Sequence, residues 1–156
     1  MKNELDFLNI YKNYLQEVKL ESEIFNAGPN IDSLTYAYKG KYFINIFFIP
    51  DADFDNLSLL QFTCLLNCSD FLKNNQLILL KLLNKMNTSL PIGSIIYTEE
   101  SQILFKYICA SQVEQPLEAK LFHEFVNLLN YIIEDNSKIF MQNSEEVIDS
   151  YISHLN

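Results

Sequence analysis

The chain has 156 residues, 49% of them hydrophobic, with 20 acidic residues against 11 basic ones and a formal net charge of −9. That length and apolar content suffice for one packed core without disulfides or a structural metal, and no uncharged apolar run reaches the roughly 20 residues that a membrane-spanning helix requires. All 11 basic residues are lysine, so the planar fork that grips phosphate and guanine is missing, and the acidic surface repels a polyanionic backbone. Nucleic acid and membrane insertion are therefore excluded as expectations, whereas a basic or apolar polypeptide remains an acceptable partner.

Glu4 and Asp6 interrupt the stretch where a signal peptide would need an uncharged core, which points to a cytoplasmic location. The three cysteines, Cys64, Cys68 and Cys109, cannot pair completely within one chain and form no C-x-x-C motif. A reducing compartment suits such a set. Cys64 in FTCLL and Cys109 in YICA stand among apolar neighbours, where a thiol packs as a small hydrophobe.

In chain order, Leu5, Leu8, Tyr11 or Lys12, and Leu15 recur at spacings of three and four, so residues 3–18 read as an amphipathic helix. A turn signal over residues 26–30 follows. The segment SLTYAYKGKYFINIFFIP, with Gly40 at its centre and Pro50 at its end, reads as a β-hairpin. Beyond a polar loop at 51–56, LSLLQFTCLLN alternates Leu60, Phe62, Cys64 and Leu66 against Gln61 and Thr63, as a third strand does.

Asn74 or Asn75 can cap the next helix, residues 75–88, whose stripe of Leu79, Leu82, Leu83 and Met86 ends at Pro91. Strands are expected at 92–98 and 102–110, joined by the solvated Glu99-Glu100-Ser101. In the second, Ile103, Phe105, Tyr107 and Cys109 share one face. Pro116 suits the first turn of a helix over 116–135 with Leu117, Leu121, Phe125, Leu128, Leu129 and Ile132 on one side. Asn143, Glu145 and Glu146 open a further helix in the apolar tail, residues 137–156. The expected fold is a single α+β domain over residues 1–156, an antiparallel five-stranded sheet with flanking helices in the order α-β-β-β-α-β-β-α, and the tail added.

The block LLKLLNKMNTSLPIGSIIYTEESQILFKYICA carries an Asn-rich helix end, a Leu-Pro corner, a glycine entering a strand, an acidic turn and an aromatic-x-aromatic strand. These are Asn84, Asn87, Leu90, Pro91, Gly93, Glu99, Glu100, Phe105 and Tyr107. In these features the chain resembles the YbjN-like family, which shares the fold of the type III secretion chaperones, and the resemblance covers most of the chain. It implies a small, acidic, commonly homodimeric protein that holds partner segments in extended form. The apolar tail after Phe140 departs from that pattern, and no partner-binding signature can be placed on the strands.

Residues with catalytic or ligating chemistry fall into no working pattern. Asp51, Asp53 and Asp55 have the spacing with which a calcium loop begins, but Asn56 stands where its glycine belongs and Phe62 where its bidentate acid belongs, so a solvated turn is the better reading. His123 and His154 form no i, i+4 pair with another ligand. No serine lies in a Gly-x-Ser-x-Gly or Ser-x-x-Lys setting, and three glycines are too few for a phosphate-cradling loop. Glu99-Glu100 and Glu145-Glu146 are explained by turn solvation and a helix N-terminus. No enzyme, metal or other cofactor is expected.

The excess that remains is aromatic. A three-residue turn at 39–41 aligns Tyr38 with Tyr42 and Tyr36 with Ile44, and it leaves Phe43 and Phe47 on the opposite face. Either the protein's own helices cover both faces or one face is a partner or dimer surface. The candidate partner-binding residues are Tyr36, Tyr38, Phe43 and Phe47 in the hairpin and Val147, Tyr151 and Leu155 in the tail. The expected function is a non-enzymatic, chaperone-like or regulatory protein that binds a polypeptide through its sheet, as a homodimer in the simplest case. The alternative is a small-molecule sensor with an apolar pocket between helix and sheet.

Overall fold

The computed structural model describes residues 4–50 and 56–155. The Asp51, Asp53 and Asp55 loop weighed above for calcium, like Asn3 at the start of the first helix, lies outside the described residues. Helix α1, Glu4–Glu17, buries Phe7, Leu8, Tyr11 and Leu15; the last three belong to the expected stripe, whereas Phe7 is buried in addition and Leu5 is only half-buried. It ends in a Schellman motif, in which the Leu20 N–H reaches the Leu15 carbonyl at 2.9 Å and the Lys19 N–H the Gln16 carbonyl at 3.0 Å. Lys19 takes the left-handed position at φ 60° that glycine more often fills.

The sheet has six strands rather than five. They are β1 Ser22–Gly28, β2 Ile31–Tyr38, β3 Tyr42–Phe48, β4 Leu57–Leu66, β5 Ser94–Tyr97 and β6 Ile103–Gln112, all antiparallel, in the spatial order β1-β2-β3-β4-β6-β5. The strand missing from the sequence expectation is β1. Its sequence, SEIFNAG, has little alternation, and the turn signal at residues 26–30 closes the β1–β2 hairpin, with Asn30 left-handed at φ 60°. Pairing with β2 holds this strand in place, Ile24 opposite Leu34 and Ser22 opposite Tyr36.

Between the sheet halves lie a short helix α2, Asp70–Asn74, and α3, Gln76–Ser89. Ser69 caps α2 by accepting the Leu72 N–H at 3.3 Å. Asn75 occupies the N-cap position of α3, but its amide instead donates to the Phe71 carbonyl at 2.7 Å. The long helix α4 spans Ala119–Phe140, starting later and ending later than the proline and Asp135-Asn136 signals imply. Its inward face is Phe122, Val126, Leu129, Ile132 and Ile133, which shares only Leu129 and Ile132 with the expected stripe: Phe122 turns inward to stack on Tyr11, which leaves Leu121 and Leu128 exposed. Ile139 and Phe140 are buried, and that apolar gain carries the helix through two weak helix formers. Ser144 caps α5, Glu145–His154, by accepting the Val147 N–H at 3.4 Å.

Helices α1 and α4 pack on one face of the sheet. Tyr11 stacks on Phe122 at 4.7 Å, Phe62 approaches Phe122 at 6.4 Å, Phe7 meets Phe48 at 6.2 Å and Tyr107 meets Phe125 at 5.7 Å. The strand side chains in this layer, including Leu34, Tyr36, Ile44, Ile46, Phe62, Cys64 and Phe105, are buried. Desolvation pushes the Cys64 thiol up to about 12 and the Cys109 thiol up to about 11, as expected of cysteines packed as hydrophobes.

The Asn-Leu-Pro-Gly corner has a direct physical account. The Asn87 side chain donates to the Ile95 carbonyl and accepts the Ile95 N–H, both at 2.7 Å, which ties the end of α3 to β5 and satisfies part of that edge strand's backbone. Gly93 sits at φ +73°, and a Cβ there would lie 2.8 Å from both the Lys106 carbonyl oxygen and the Phe105 ring. No helix among the described residues is long and apolar enough to cross a membrane.

Candidate functional site

The hairpin register is the expected one, with Tyr38 opposite Tyr42, Tyr36 opposite Ile44, Ala37 opposite Phe43 and Ser33 opposite Phe47. Because side chains alternate along a strand, Tyr36, Tyr38 and Tyr42 point to the helices while Phe43 and Phe47 point away from them. The helix-facing set is engaged by α4. The Tyr36 hydroxyl donates to Asn130 Oδ1 at 2.8 Å, Tyr42 shares a 2.6 Å hydrogen bond with Ser137, and Tyr38 donates to Glu134 at 3.1 Å. Lys39 closes the same contact from the hairpin tip, with its ammonium 2.6 Å from Glu134 Oε1. These bonds hold the Glu134 carboxyl below its ordinary range. Tyr36 is fully buried, so its assignment to a partner surface is corrected: it belongs to the core. Tyr38 is half-buried against α4.

The opposite face carries no helix among the described residues, and cross-strand register sorts its side chains into rows. The row nearest the hairpin turn is apolar: Ala37 lies opposite Phe43, and on the far side of the sheet Leu104 lies opposite both Leu65 and Ile96. Continuing the β3–β4 register places Phe43 next to Leu65. Phe43 is 58% exposed and Leu65 55%. The next row is polar from end to end, running Glu23, Thr35, Asn45, Thr63, Lys106 and Ser94. Within it the Thr35 hydroxyl donates to Asn45 Oδ1 at 2.6 Å. A third, mixed row runs Phe25, Ser33, Phe47, Gln61 and Ile108, in which Ser33 is buried between its two aromatic neighbours and Phe47 is half-buried.

Two clefts border the apolar row. One, of about 270 Å³, lies over β1–β3 and is lined by Glu21, Ser22, Glu23, Phe25, Thr35, Ala37 and Phe43. The other, of about 340 Å³, lies at the sheet rim where β3 begins and α4 ends, and Lys41, Tyr42, Leu65, Asn67, Lys138 and Met141 are among its walls. Lys41 is held over the Tyr42 ring, its ammonium 5.2 Å from the centroid.

The tail residues lie elsewhere. Val147 is exposed on α5, while Tyr151 and Leu155 are half-buried and, with Met86, Leu128 and Tyr131, line a groove of about 170 Å³ between α3, α4 and α5. Phe43 and Phe47 therefore share a surface with each other but not with Val147, Tyr151 or Leu155. Sequence reasoning missed Phe25, Leu65, Leu104 and Ile96 on that surface. Alternation within β4 and β6 signals their side of the sheet, but only the strand order brings them beside Phe43. His123 is half-buried, with Nε2 2.8 Å from the Tyr14 carbonyl oxygen, a structural contact.

Comparison with protein-family models and with curated proteins finds no match for the chain. Among solved structures it is similar to an uncharacterized protein from Methanothermobacter thermautotrophicus at 13% identity and a TM-score of 0.50, covering 95% of this chain and 97% of that one. At that identity the likeness concerns the fold alone.

Proposed function

We propose that this chain is a non-enzymatic, cytoplasmic protein that binds a polypeptide partner through the uncovered face of its sheet, in the chaperone-like manner implied by its resemblance to the YbjN-like family and the type III secretion chaperones. The observation that supports this reading is the apolar row of Ala37, Phe43, Leu65, Leu104 and Ile96, which lies on a face that no helix covers among the described residues, with Phe43 58% exposed. A row of apolar side chains left in water is costly for a monomer and suits the alternate-residue contacts of an extended peptide. The sensor alternative has no comparable observation in its favour, because the space between helices and sheet is filled by Tyr11, Tyr36, Phe62, Phe105 and Phe122.

The test is affinity capture from the native cell with the wild type and with Phe43→Ser combined with Leu65→Ser, alongside thermal melts. We expect a specific polypeptide to be captured by the wild type and lost from the double variant while the melting temperature stays nearly unchanged. Equal capture by both proteins, or capture by neither, refutes the reading.

A further inference from the structure

The two clefts that border the apolar row carry opposite charge. At the β1 end the lining includes Glu21 and Glu23 and no lysine. At the rim the lining includes Lys41 and Lys138 and no acid, together with the amide side chains of Asn67 and Gln142. This is unexpected in a chain with 20 acidic residues against 11 basic ones. Neither lysine is in an ion pair among the described residues; Lys138 acts on Glu134 along α4 only through its field. The clefts adjoin the apolar row at different points, the acidic one through Ala37 and Phe43 and the basic one through Leu65. Across β1–β4 the acidic cleft therefore lies before Phe43, and the basic cleft meets Leu65 from the strand ends, where Lys41 and the α4 residue Lys138 flank the rim, while Leu104 and Ile96 continue the row beyond it.

Resting on the polypeptide-binding reading, we propose that the occupant of this surface is an extended segment in which an apolar residue stands between a basic and an acidic one. Its apolar side chain lies against Phe43 and Leu65, its base meets Glu21 and Glu23, and its carboxylate meets Lys41 and Lys138. Exposed ammonium–carboxylate pairs are individually weak, so the charges act chiefly as a selector of the segment and of its direction, while the apolar row supplies the common affinity.

The test uses four peptides with one apolar core, flanked by lysine and glutamate, by two lysines, by two glutamates or by two glutamines. Binding is followed at low salt by NMR shifts of Phe43, Leu65, Glu23 and Lys41, and the protein's self-association is measured in parallel by sedimentation. The lysine–glutamate peptide should bind about three- to tenfold more tightly than the glutamine one. The double variant Lys41→Glu with Lys138→Glu, checked by its melt, should transfer the preference to the two-lysine peptide. Equal affinities for all four peptides, with shifts at Phe43 and Leu65, overturn the charge inference and leave the binding reading intact. No shift at Phe43 or Leu65 with any peptide overturns both. Self-association that buries Phe43 overturns the inference in favour of a second copy of this chain as the occupant.

Discussion

Tyr36 and Phe43 stand on adjacent strands one position apart in register, yet Tyr36 is 0% exposed and Phe43 is 58% exposed. The hairpin supplies aromatic residues to both faces of its sheet, and the fold closes only one of them. On the closed face the rings are stacked on helix side chains and each of three tyrosine hydroxyls has a partner in α4. On the open face the bulk is organised in rows, and a polar row separates the two that contain aromatic rings. The same residue types thus contribute stability on one side and surface chemistry on the other, and the difference comes from what lies above the strand rather than from the strand itself.

The largest expected effect sharpens that contrast. Phe62→Ala, on the closed face, should lower the unfolding free energy by about 3–5 kcal/mol, whereas Phe43→Ala, on the open face, should change it by less than about 0.5 kcal/mol. Urea denaturation of both variants checks the comparison, and similar losses would mean that the open face is packed in solution.

A smaller effect is expected from Tyr36→Phe. It keeps the ring and removes the hydroxyl, leaving the buried Asn130 Oδ1 without the donor that lies 2.8 Å away. The expected cost is about 1–2 kcal/mol, read from the same denaturation curves. A cost near zero would show that the hairpin is attached to α4 by ring packing alone.

The smallest effect concerns the exposed tip. Because Lys39 and Tyr38 hold the Glu134 carboxyl below its ordinary value of 4.5, that contact contributes stability above pH 4.5 and loses it as the pH falls toward the folded-state value. Lys39→Met should therefore lower stability slightly near neutral pH and leave it unchanged below the folded-state value, so that part of the acid limb of the stability profile flattens. Thermal melts from pH 3 to pH 7 measure it, and an unchanged acid limb would assign that limb to other carboxylates.

Sequence periodicity by itself determined the helical stripe of α3 and most of that of α1, the presence of α4, the Gly40 hairpin with its register, the alternation of β4 and β6, and the break at Pro91. Each rests on neighbours within one helical turn or one strand pair, where 3.6- and 2-residue periods act directly. It also separated Phe43 and Phe47 from Tyr36 and Tyr38. What only the tertiary structure decided was β1, whose residues are ordered by a partner strand rather than by their own pattern, and the extension of α4 to Phe140, which follows the burial of its last turn. It decided as well which hairpin face is covered. Two sides rich in apolar residues look alike in a linear pattern, and the helices choose between them only once the strand order β1-β2-β3-β4-β6-β5 is assembled. The open surface is a long-range object for the same reason: Phe43, Leu65, Leu104 and Ile96 become one row through pairings between strands distant in the chain, which no local spacing encodes.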